Sequence, residues 1–252
     1  MARKISQTTF KVKSPENLIS FLKKFSLVES SLLLEVTKDA LLAKSHIPDK
    51  SIIKYSRIKL DDVLEGTVPG EQIKIGIGNI SRIVNVFKYF ANGDEIFLDL
   101  KYEEINDELV GVELTFHNES LKINMPCQDI TLFTYINAEM LKKIVKGVSD
   151  DKIMDFDFPK QEFVKIQSLC DMDSDSELIR LKAKDSKLFV CGKSFEYEMK
   201  NAPAIDKNIE LAFRNENFGR IDSEFSRFHI SPNKILVKSN DTDTIIVLGR
   251  TE

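Results

Sequence analysis

The chain has 252 residues, 42% of them hydrophobic and 30% charged, which is enough apolar material for one large domain or two of ordinary size. No apolar run reaches the length of a membrane span, and the basic first residues lack the apolar stretch of a secretory signal. We therefore expect a cytoplasmic protein without a membrane partner. The net charge of −4 argues against a surface that is basic throughout, but it allows a basic face on an acidic body.

Strand patterns outnumber helix patterns in the first half of the chain. A helix is predicted over 15–26, where Ser14 is a natural N-cap and Pro15 suits the first helical position. A second helix is predicted over 79–91, with Asn79 as its cap. The predicted strands are 8–14, 31–37, 40–47, 51–60, 71–77, 95–102, 109–117 and 120–125.

The second half begins with a predicted connector that contains a helix at 137–148. A further helix over 159–170 is predicted to bury Phe163, Ile166 and Leu169, and a short helix is predicted over 215–223. The predicted strands are 177–184, 187–191, 194–200, 207–213, 225–230, 234–239 and 243–249.

Two stretches about 145 residues apart follow one pattern, which indicates a duplicated architecture. Each has a proline at a helix start (Pro15 and Pro159), then a helix, a strand, a Lys-Asp turn and a returning strand. We predict an α+β fold with amphipathic helices on one face of antiparallel sheets. The predicted division is an N-terminal domain 1–127, a connector 128–155 and a C-terminal domain 156–252.

Two motifs resemble ligand-binding loops, and for both a structural interpretation is favoured. Gly76 and Gly78 precede a helix, as in a dinucleotide-binding loop, but the third glycine is missing, so a tight turn capped by Asn79 is predicted. The segment 171–177 begins like a calcium loop but has Ser176 at the position that requires glycine, so a solvated acidic loop is predicted. The segment 241–243 is predicted to be a turn between strands.

No pattern typical of a catalyst occurs in the sequence. The three histidines, His46, His117 and His229, lie in separate strand patterns without metal-ligand spacing. The cysteines, Cys127, Cys170 and Cys191, form no CxxC motif and are predicted to be reduced thiols. We therefore predict no catalytic residue, no metal and no cofactor.

The exposed sides of the predicted helices carry lysine and arginine, while acidic residues concentrate in loops. The cations in question are Lys23, Lys24, Arg82, Lys88, Lys160, Lys165 and Arg220. Two interpretations remain open from the residues alone. They form either an ordinary solvated helix face or a dedicated cationic surface made of helices.

Several segments resemble the second domain of DNA polymerase sliding clamps, most closely those of tailed bacteriophages and more distantly proliferating cell nuclear antigen. They are 158–163, 178–185, 187–190, 192–197, 228–235 and 241–250. The resemblance extends over nearly the whole chain through the order of its elements, and no single motif is diagnostic. The short helix at 215–223 and the connector helix depart from the usual clamp pattern.

The resemblance implies a closed homotrimeric ring of clamp domains, with sheets outside and helices lining a hole for double-stranded DNA. It implies a non-enzymatic processivity factor that binds DNA without sequence preference, with DNA polymerase and a clamp loader as partners. It also implies a location in the cytoplasm, that of the host cell if the protein is viral. The helix cations that it assigns to DNA are Lys23, Lys24, Arg82, Lys88, Lys160 and Lys165.

In such clamps an apolar pocket between the connector and the C-terminal domain binds partner proteins. The residues that match it loosely here are Ile130, Leu132, Pro232, Val247 and Leu248, and packing in the core or within a strand is the alternative for each of them. One alternative is a clamp-like platform that recruits repair, checkpoint or late-transcription proteins without tethering polymerase. A second alternative is an enzyme that uses one of the loops, with Asp171 and Asp173 as the residues to test.

Overall fold

The computed structural model describes residues 4–47, 49, 51–133, 138–157, 159–200, 202–204, 209–221, 225–239 and 243–249. The chain forms two compact units. Unit 1 comprises 1–45 and 55–135, and unit 2 comprises 46–54 and 136–252. Among the described residues, no helix has both the length and the apolar character needed to cross a bilayer.

Unit 1 follows the predicted alternation of strands and helices. Its elements are β1 (Ile5–Val12), α1 (Pro15–Ser26), β2 (Leu32–Thr37), β3 (Ala40–His46), β4 (Ile52–Lys59, whose first residues belong to unit 2), β5 (Leu64–Gly66), β6 (Gln72–Ile77), α2 (Ile80–Val86), β7 (Phe97–Ile105), β8 (Glu108–His117) and β9 (Lys122–Pro126). The short strand β5 was not predicted. Helix α2 ends earlier than predicted and continues as a 3₁₀ turn, Phe87–Tyr89.

Local signals in the sequence determine where both helices of unit 1 begin. The Ser14 side chain accepts a hydrogen bond from the Asn17 backbone N–H at 3.2 Å, and Asn79 accepts one from the Arg82 N–H at 3.1 Å. Each bond satisfies one of the free N–H groups of a first helical turn, so both predicted caps are confirmed.

The apolar residues of α1 and α2 that recur at helical spacing are buried with one partial exception. They are Leu18, Ile19, Leu22 and Phe25 in α1 and Ile80, Ile83 and Val84 in α2. Their exposed fractions are at most 8%, and only Ile19 is half-buried.

The sheet of unit 1 is antiparallel apart from one pair of strands. Its order is β3-β2-β6-β8-β7-β1-β5, and β9 pairs with β8 on the β6 side. Strands β6 and β8 run parallel, with Ile73 opposite Leu109. We predicted antiparallel sheets, and this parallel pair is an exception to that prediction. Strands β6 and β8 are neighbours in the sheet, although α2 and β7 lie between them in the sequence.

Unit 2 repeats the element order of unit 1 after an additional helix. Its elements are α3 (Ala138–Asp150), β10 (Met154–Asp157), α4 (Lys160–Met172), β11 (Leu178–Lys184), β12 (Lys187–Cys191), β13 (Glu196–Glu198), β14 (Ile209–Arg214), α5 (Asn215–Gly219), β15 (Phe225–Ile230), β16 (Lys234–Ser239) and β17 (Asp243–Gly249). Apart from α3 and β5, both units run strand, helix, four strands, helix and three strands, which is the duplicated order that the sequence indicated. The boundary between the units lies at 135–136, within the predicted connector, because α3 packs on strands of unit 2.

The described strands of unit 2 form two antiparallel groups, β13-β12-β11-β14 and β10-β15-β16-β17. Helices occupy both faces of the second group. Val237 pairs with Phe228, whose ring lies 5.6 Å from that of Phe163 in α4. Leu236 pairs with Val247, and both contact α3. Because side chains alternate along a strand, α3 and α4 lie on opposite faces of these strands.

The last predicted elements lie partly outside the described residues. Helix α5 is shorter than the predicted 215–223, of which 222 and 223 are not described. The turn predicted at 241–243 also lies outside, except for Asp243 at the start of β17. His117 and His229 lie in β8 and β15, as predicted.

Candidate nucleic-acid and partner interface

The helix pair of unit 1 presents a cationic surface to solvent. Helices α1 and α2 pack against each other. Lys23, Arg82 and Lys88 are exposed, and Lys24 is half-buried. The segment 80–89 contains no acidic residue, so nothing on α2 itself offsets its two cations. Exposed cations on two helices that contact each other can attract a polyanion.

In unit 2, burial of an acidic residue leaves lysine as the exposed charged residue type in the first half of α4. Lys160 and Lys165 are exposed, whereas Glu162 is 9% exposed and turned inward. The Glu162 carboxylate accepts hydrogen bonds from the Lys200 backbone N–H at 3.1 Å and from the Tyr197 hydroxyl at 3.4 Å. The first turn of α4 therefore shows lysine to solvent and keeps its carboxylate inside.

Tyr197 contacts both the buried Glu162 carboxylate and the exposed Lys165. The Lys165 ammonium lies 4.8 Å from the centroid of the Tyr197 ring, which is cation–π distance. Burial and the neighbouring Glu162 carboxylate raise the pKa of the Tyr197 hydroxyl, so it stays protonated and donates. The ring thereby helps to position one candidate DNA-facing lysine.

Arg220, the seventh helix cation, is a weaker candidate. Its guanidinium lies 3.3 Å from the Glu216 carboxylate, four residues earlier. Because Arg220 is half-buried and lies beside this carboxylate, it has little net charge to offer a phosphate.

The five predicted partner-binding residues differ widely in exposure. In unit 1, Leu132 is 71% exposed and Ile130 is half-buried, both in the 3₁₀ turn Ile130–Leu132. In unit 2, Pro232 is exposed, but Val247 is 3% exposed and Leu248 is fully buried. The resemblance matched all five loosely to one apolar pocket. Strand alternation instead turns Leu248 away from the α3 face into the core, and α3 covers Val247.

The glycine motif allows the connector to cross unit 1 closely. Gln128 donates its backbone N–H to the Gly76 oxygen at 2.9 Å, and Cys127 donates to the Val112 oxygen at 2.9 Å. A Cβ on Gly76 would overlap the Gln128 backbone oxygen, and one on Gly78 would overlap the Gln128 side chain. The predicted tight turn is confirmed, and the close passage of residue 128 adds a reason for both glycines.

The same crossing forms a cavity of about 330 Å³ that Asn79, Arg82, Gln128 and Leu132 help to line. Cys127 also lines it, and burial with the nearby Glu113 carboxylate raises the pKa of its thiol to about 12. That thiol is therefore protonated near neutral pH and is not a nucleophile.

The segment that resembles a calcium loop contains a structural carboxylate. Helix α4 runs on to Met172, and Asp173 is only 6% exposed, so the predicted solvated loop is wrong at this residue. The Asp173 carboxylate accepts hydrogen bonds from the Ser194 hydroxyl at 2.7 Å and from the Lys193 N–H. The Ser194 bond, above all, lowers the pKa of Asp173.

A Cβ on Gly192 would overlap the Asp173 carboxylate, which explains the glycine there. Within the described part of the chain, no group of three or more His, Cys, Asp and Glu side chains could hold a metal ion.

Solved structures share this fold over nearly the whole chain. Proliferating cell nuclear antigen of A. fulgidus, bound to the C-terminal region of FEN-1, gives a TM-score of 0.66 at 12% identity over 97% of this chain and 98% of that chain. The Entamoeba histolytica protein of the same name gives 0.65 at 11% identity, covering 97% and 99%. The Helicobacter pylori beta clamp bound to a DNA ligase peptide gives 0.66 at 16% identity, covering 100% of this chain and 67% of that one.

The sequence matches no protein-family model and no curated protein. At these identities the likeness concerns the fold alone. The described elements, with mainly antiparallel sheets and a pair of helices packed in each unit, therefore have the α+β fold of the sliding clamps.

Proposed function

We propose that the protein is a sliding clamp, a non-enzymatic ring that encircles duplex DNA and tethers the replicative DNA polymerase. The observation that carries this proposal is the cationic side of the helices in both units of a clamp fold. Lys23, Arg82 and Lys88 supply it in unit 1, and Lys160 and Lys165 supply it in unit 2.

These cations would hold DNA without reading its sequence. Lysine and arginine bind phosphate oxygens, which are the same at every base pair, so a ring held by such contacts can move along the duplex. The buried Glu162 supports this role, because an exposed carboxylate at that position would repel the same phosphates.

The ring would be a homotrimer closed by edge strands of neighbouring copies. Within the described residues, β9 pairs only with β8, and β13 pairs only with β12, so each has an edge available for pairing. The two edges differ in charge, because β9 begins at the exposed Lys122 while β13 contains Glu196 and Glu198. A head-to-tail contact between unlike edges repeats by rotation and ends when the ring closes.

Partner proteins would bind through short segments. Two of the similar structures contain a clamp-fold protein bound to a piece of another protein, the C-terminal region of FEN-1 in one and a DNA ligase peptide in the other. For this chain we propose polymerase and a clamp loader as partners. The candidate contact residues are Ile130 and Leu132 in unit 1, and Pro232 and Val247 in unit 2. We also propose a bacteriophage origin and a location in the host cytoplasm, on the sequence resemblance.

Native mass spectrometry and retention on DNA test the proposal together. We expect a species of three chains at tens of micromolar. We also expect that the ring, once loaded, stays on closed circular duplex and is lost when a single cut makes the duplex linear. A monomer at that concentration, or equal retention on both forms, would contradict an encircling trimer.

The alternative is a clamp-like platform that recruits repair, checkpoint or late-transcription proteins and does not tether polymerase. It predicts the same ring and the same dependence on circular DNA. Synthesis on a long primed template separates the two, because a polymerase clamp lengthens the product per binding event and a recruiting platform leaves that length unchanged.

A further inference from the structure

Helix α3 covers an apolar patch on the strands of unit 2. Ile53, Leu236 and Val247, which we call the covered face, are 9%, 0% and 3% exposed and form one cluster with Val148 of α3. Leu141, Ile144 and Val145 pack against the same cluster. These four positions of α3 recur at i, i+3, i+4 and i+7, so the helix docks along one apolar stripe.

The docking of α3 is shallow compared with that of the helix on the other face. Of its four stripe residues, only Val148 is fully buried, at 2%, while Leu141, Ile144 and Val145 remain partly exposed. The adjacent Met140 is 49% exposed. In α4, by contrast, Phe163 and Ile166 are 0% and 1% exposed. Less apolar area is therefore lost from contact if α3 leaves its strands than if α4 does.

Gly147 weakens α3 further and has no steric reason to be glycine. A Cβ at this position would meet no atom within 4 Å. Glycine in a helix interior favours the unfolded helix relative to alanine, because its backbone has more freedom to lose. The strands beneath also pack, through their other face, on a core that includes Phe163 and Phe228.

We propose that the covered face is a docking surface for an amphipathic helix of a partner protein, and that α3 occupies it in cis until the partner displaces it. The partner segment is identified by the chemistry of α3 itself: aliphatic side chains at i, i+3, i+4 and i+7, laid along an apolar groove. This inference rests on the proposed function, because it assigns to the partner-binding region a specific surface and a competing internal ligand.

Competition has a measurable consequence for affinity. The apparent dissociation constant of a partner equals its intrinsic value divided by the fraction of molecules with α3 undocked. Replacing Gly147 by alanine strengthens the helix, and the difference in helix propensity corresponds to about fivefold in an equilibrium constant. Gly147→Ala should therefore weaken partner binding by up to about fivefold without touching the surface itself.

The test uses the full-length chain and a labelled synthetic peptide of residues 138–150 as the probe, with fluorescence anisotropy as the readout. The double variant Ile144→Asp, Val145→Asp removes two anchors of the internal helix and leaves the covered face intact. We expect this variant to bind the probe at least tenfold more tightly than the natural chain, and Gly147→Ala to bind it more weakly. A probe peptide that carries the same two aspartates should bind neither the natural chain nor either variant.

Hydrogen exchange of 138–150 reports directly on whether α3 is released. We expect fast exchange in the double variant and slower exchange in Gly147→Ala. Released α3 with no gain in probe binding would overturn the docking surface, and protected α3 in the double variant would overturn the displaceable cover. The assay needs neither DNA nor a trimer, so its result is independent of the test of the clamp proposal. If the protein is a trimer but the probe results are negative, only the docking surface is refuted. If the protein is a monomer but the probe results are positive, the docking surface stands and the clamp proposal is refuted.

Discussion

Reversing two helix charges tests the DNA-facing surface with a matched control. The variant Lys23→Glu, Lys165→Glu changes one exposed lysine in each unit. The control, Lys143→Glu with Lys146→Glu, makes the same change in net charge on the exposed side of α3. Within unit 2, α3 and α4 lie on opposite faces of the β15–β17 strands. Only the first pair should affect DNA binding, although both pairs alter the overall charge equally.

The magnitude follows from the release of counterions. Each phosphate contact contributes about 0.9 to the slope of log K against log salt for duplex DNA, so two lost contacts reduce that slope by up to about 1.8 per subunit. Fluorescence anisotropy of a short duplex between 50 and 200 mM salt, spanned in steps, measures this slope. Native mass spectrometry of the same samples checks that the variant still assembles as the unaltered chain does.

The control decides what the result means. Equal losses for both pairs would show that overall charge, and not the helix face, governs DNA binding. An unchanged slope for Lys23→Glu, Lys165→Glu would remove these lysines from the DNA-facing surface. A loss for the first pair alone is the result that the cationic helix face requires.

Three further predictions concern stability. Leu22→Ala should lower the free energy of unfolding by about 2–5 kcal/mol in urea titration, since Leu22 is 1% exposed in the core of unit 1, and a loss below 1 kcal/mol would contradict that packing. Gly76→Ala should lower the melting temperature more than Gly219→Ala does, because a Cβ at Gly76 overlaps Gln128 whereas a Cβ at Gly219 meets no atom within 4 Å. Equal shifts in melting temperature would contradict the conclusion that Gly76 is needed for the close passage of residue 128.

The third prediction concerns the pH dependence of stability and rests on Asp155. Burial raises the pKa of the Asp155 carboxyl, but hydrogen bonds from Arg227 and Lys152 outweigh the effect of burial and lower this pKa to about 2. A depressed carboxyl pKa contributes stability above the ordinary value near 3.8, and the contribution is lost as the pH falls through about 2. The stability gap between the natural chain and Asp155→Asn should therefore shrink between pH 4 and pH 2, and a constant gap would refute the assignment.

Much of the secondary structure could be predicted because its causes are local. Ser14 and Asn79 each satisfy an N–H group three residues ahead, and β16 and β17 are short apolar runs of the kind that buried strands show. The duplication was visible for the same reason, because it repeats turns and helix starts that are each encoded within a few residues. The unpredicted strands β5 and β10 are short segments of three and four residues.

The cationic helix face was only half determined by the sequence. Periodicity set Lys23, Arg82 and Lys165 on the outer sides of their helices, as the structure shows. It could not show that Glu162 turns inward, because its partners, Tyr197 and the N–H of Lys200, come from residues 35 and 38 positions away. The burial of Asp173 could not be predicted for the same reason, because its partner Ser194 lies 21 positions further along the chain.

By itself, the sequence determined the order of elements, the helix caps and the positions of most cations, since each depends on neighbours within about one turn or one hairpin. Only the tertiary structure decided which face of the strands α3 covers, that β6 and β8 run parallel, and that Val247 and Leu248 are buried. These features depend on contacts between segments far apart in the chain. An amphipathic stripe indicates that a helix packs on an apolar surface, but it does not indicate which surface that is.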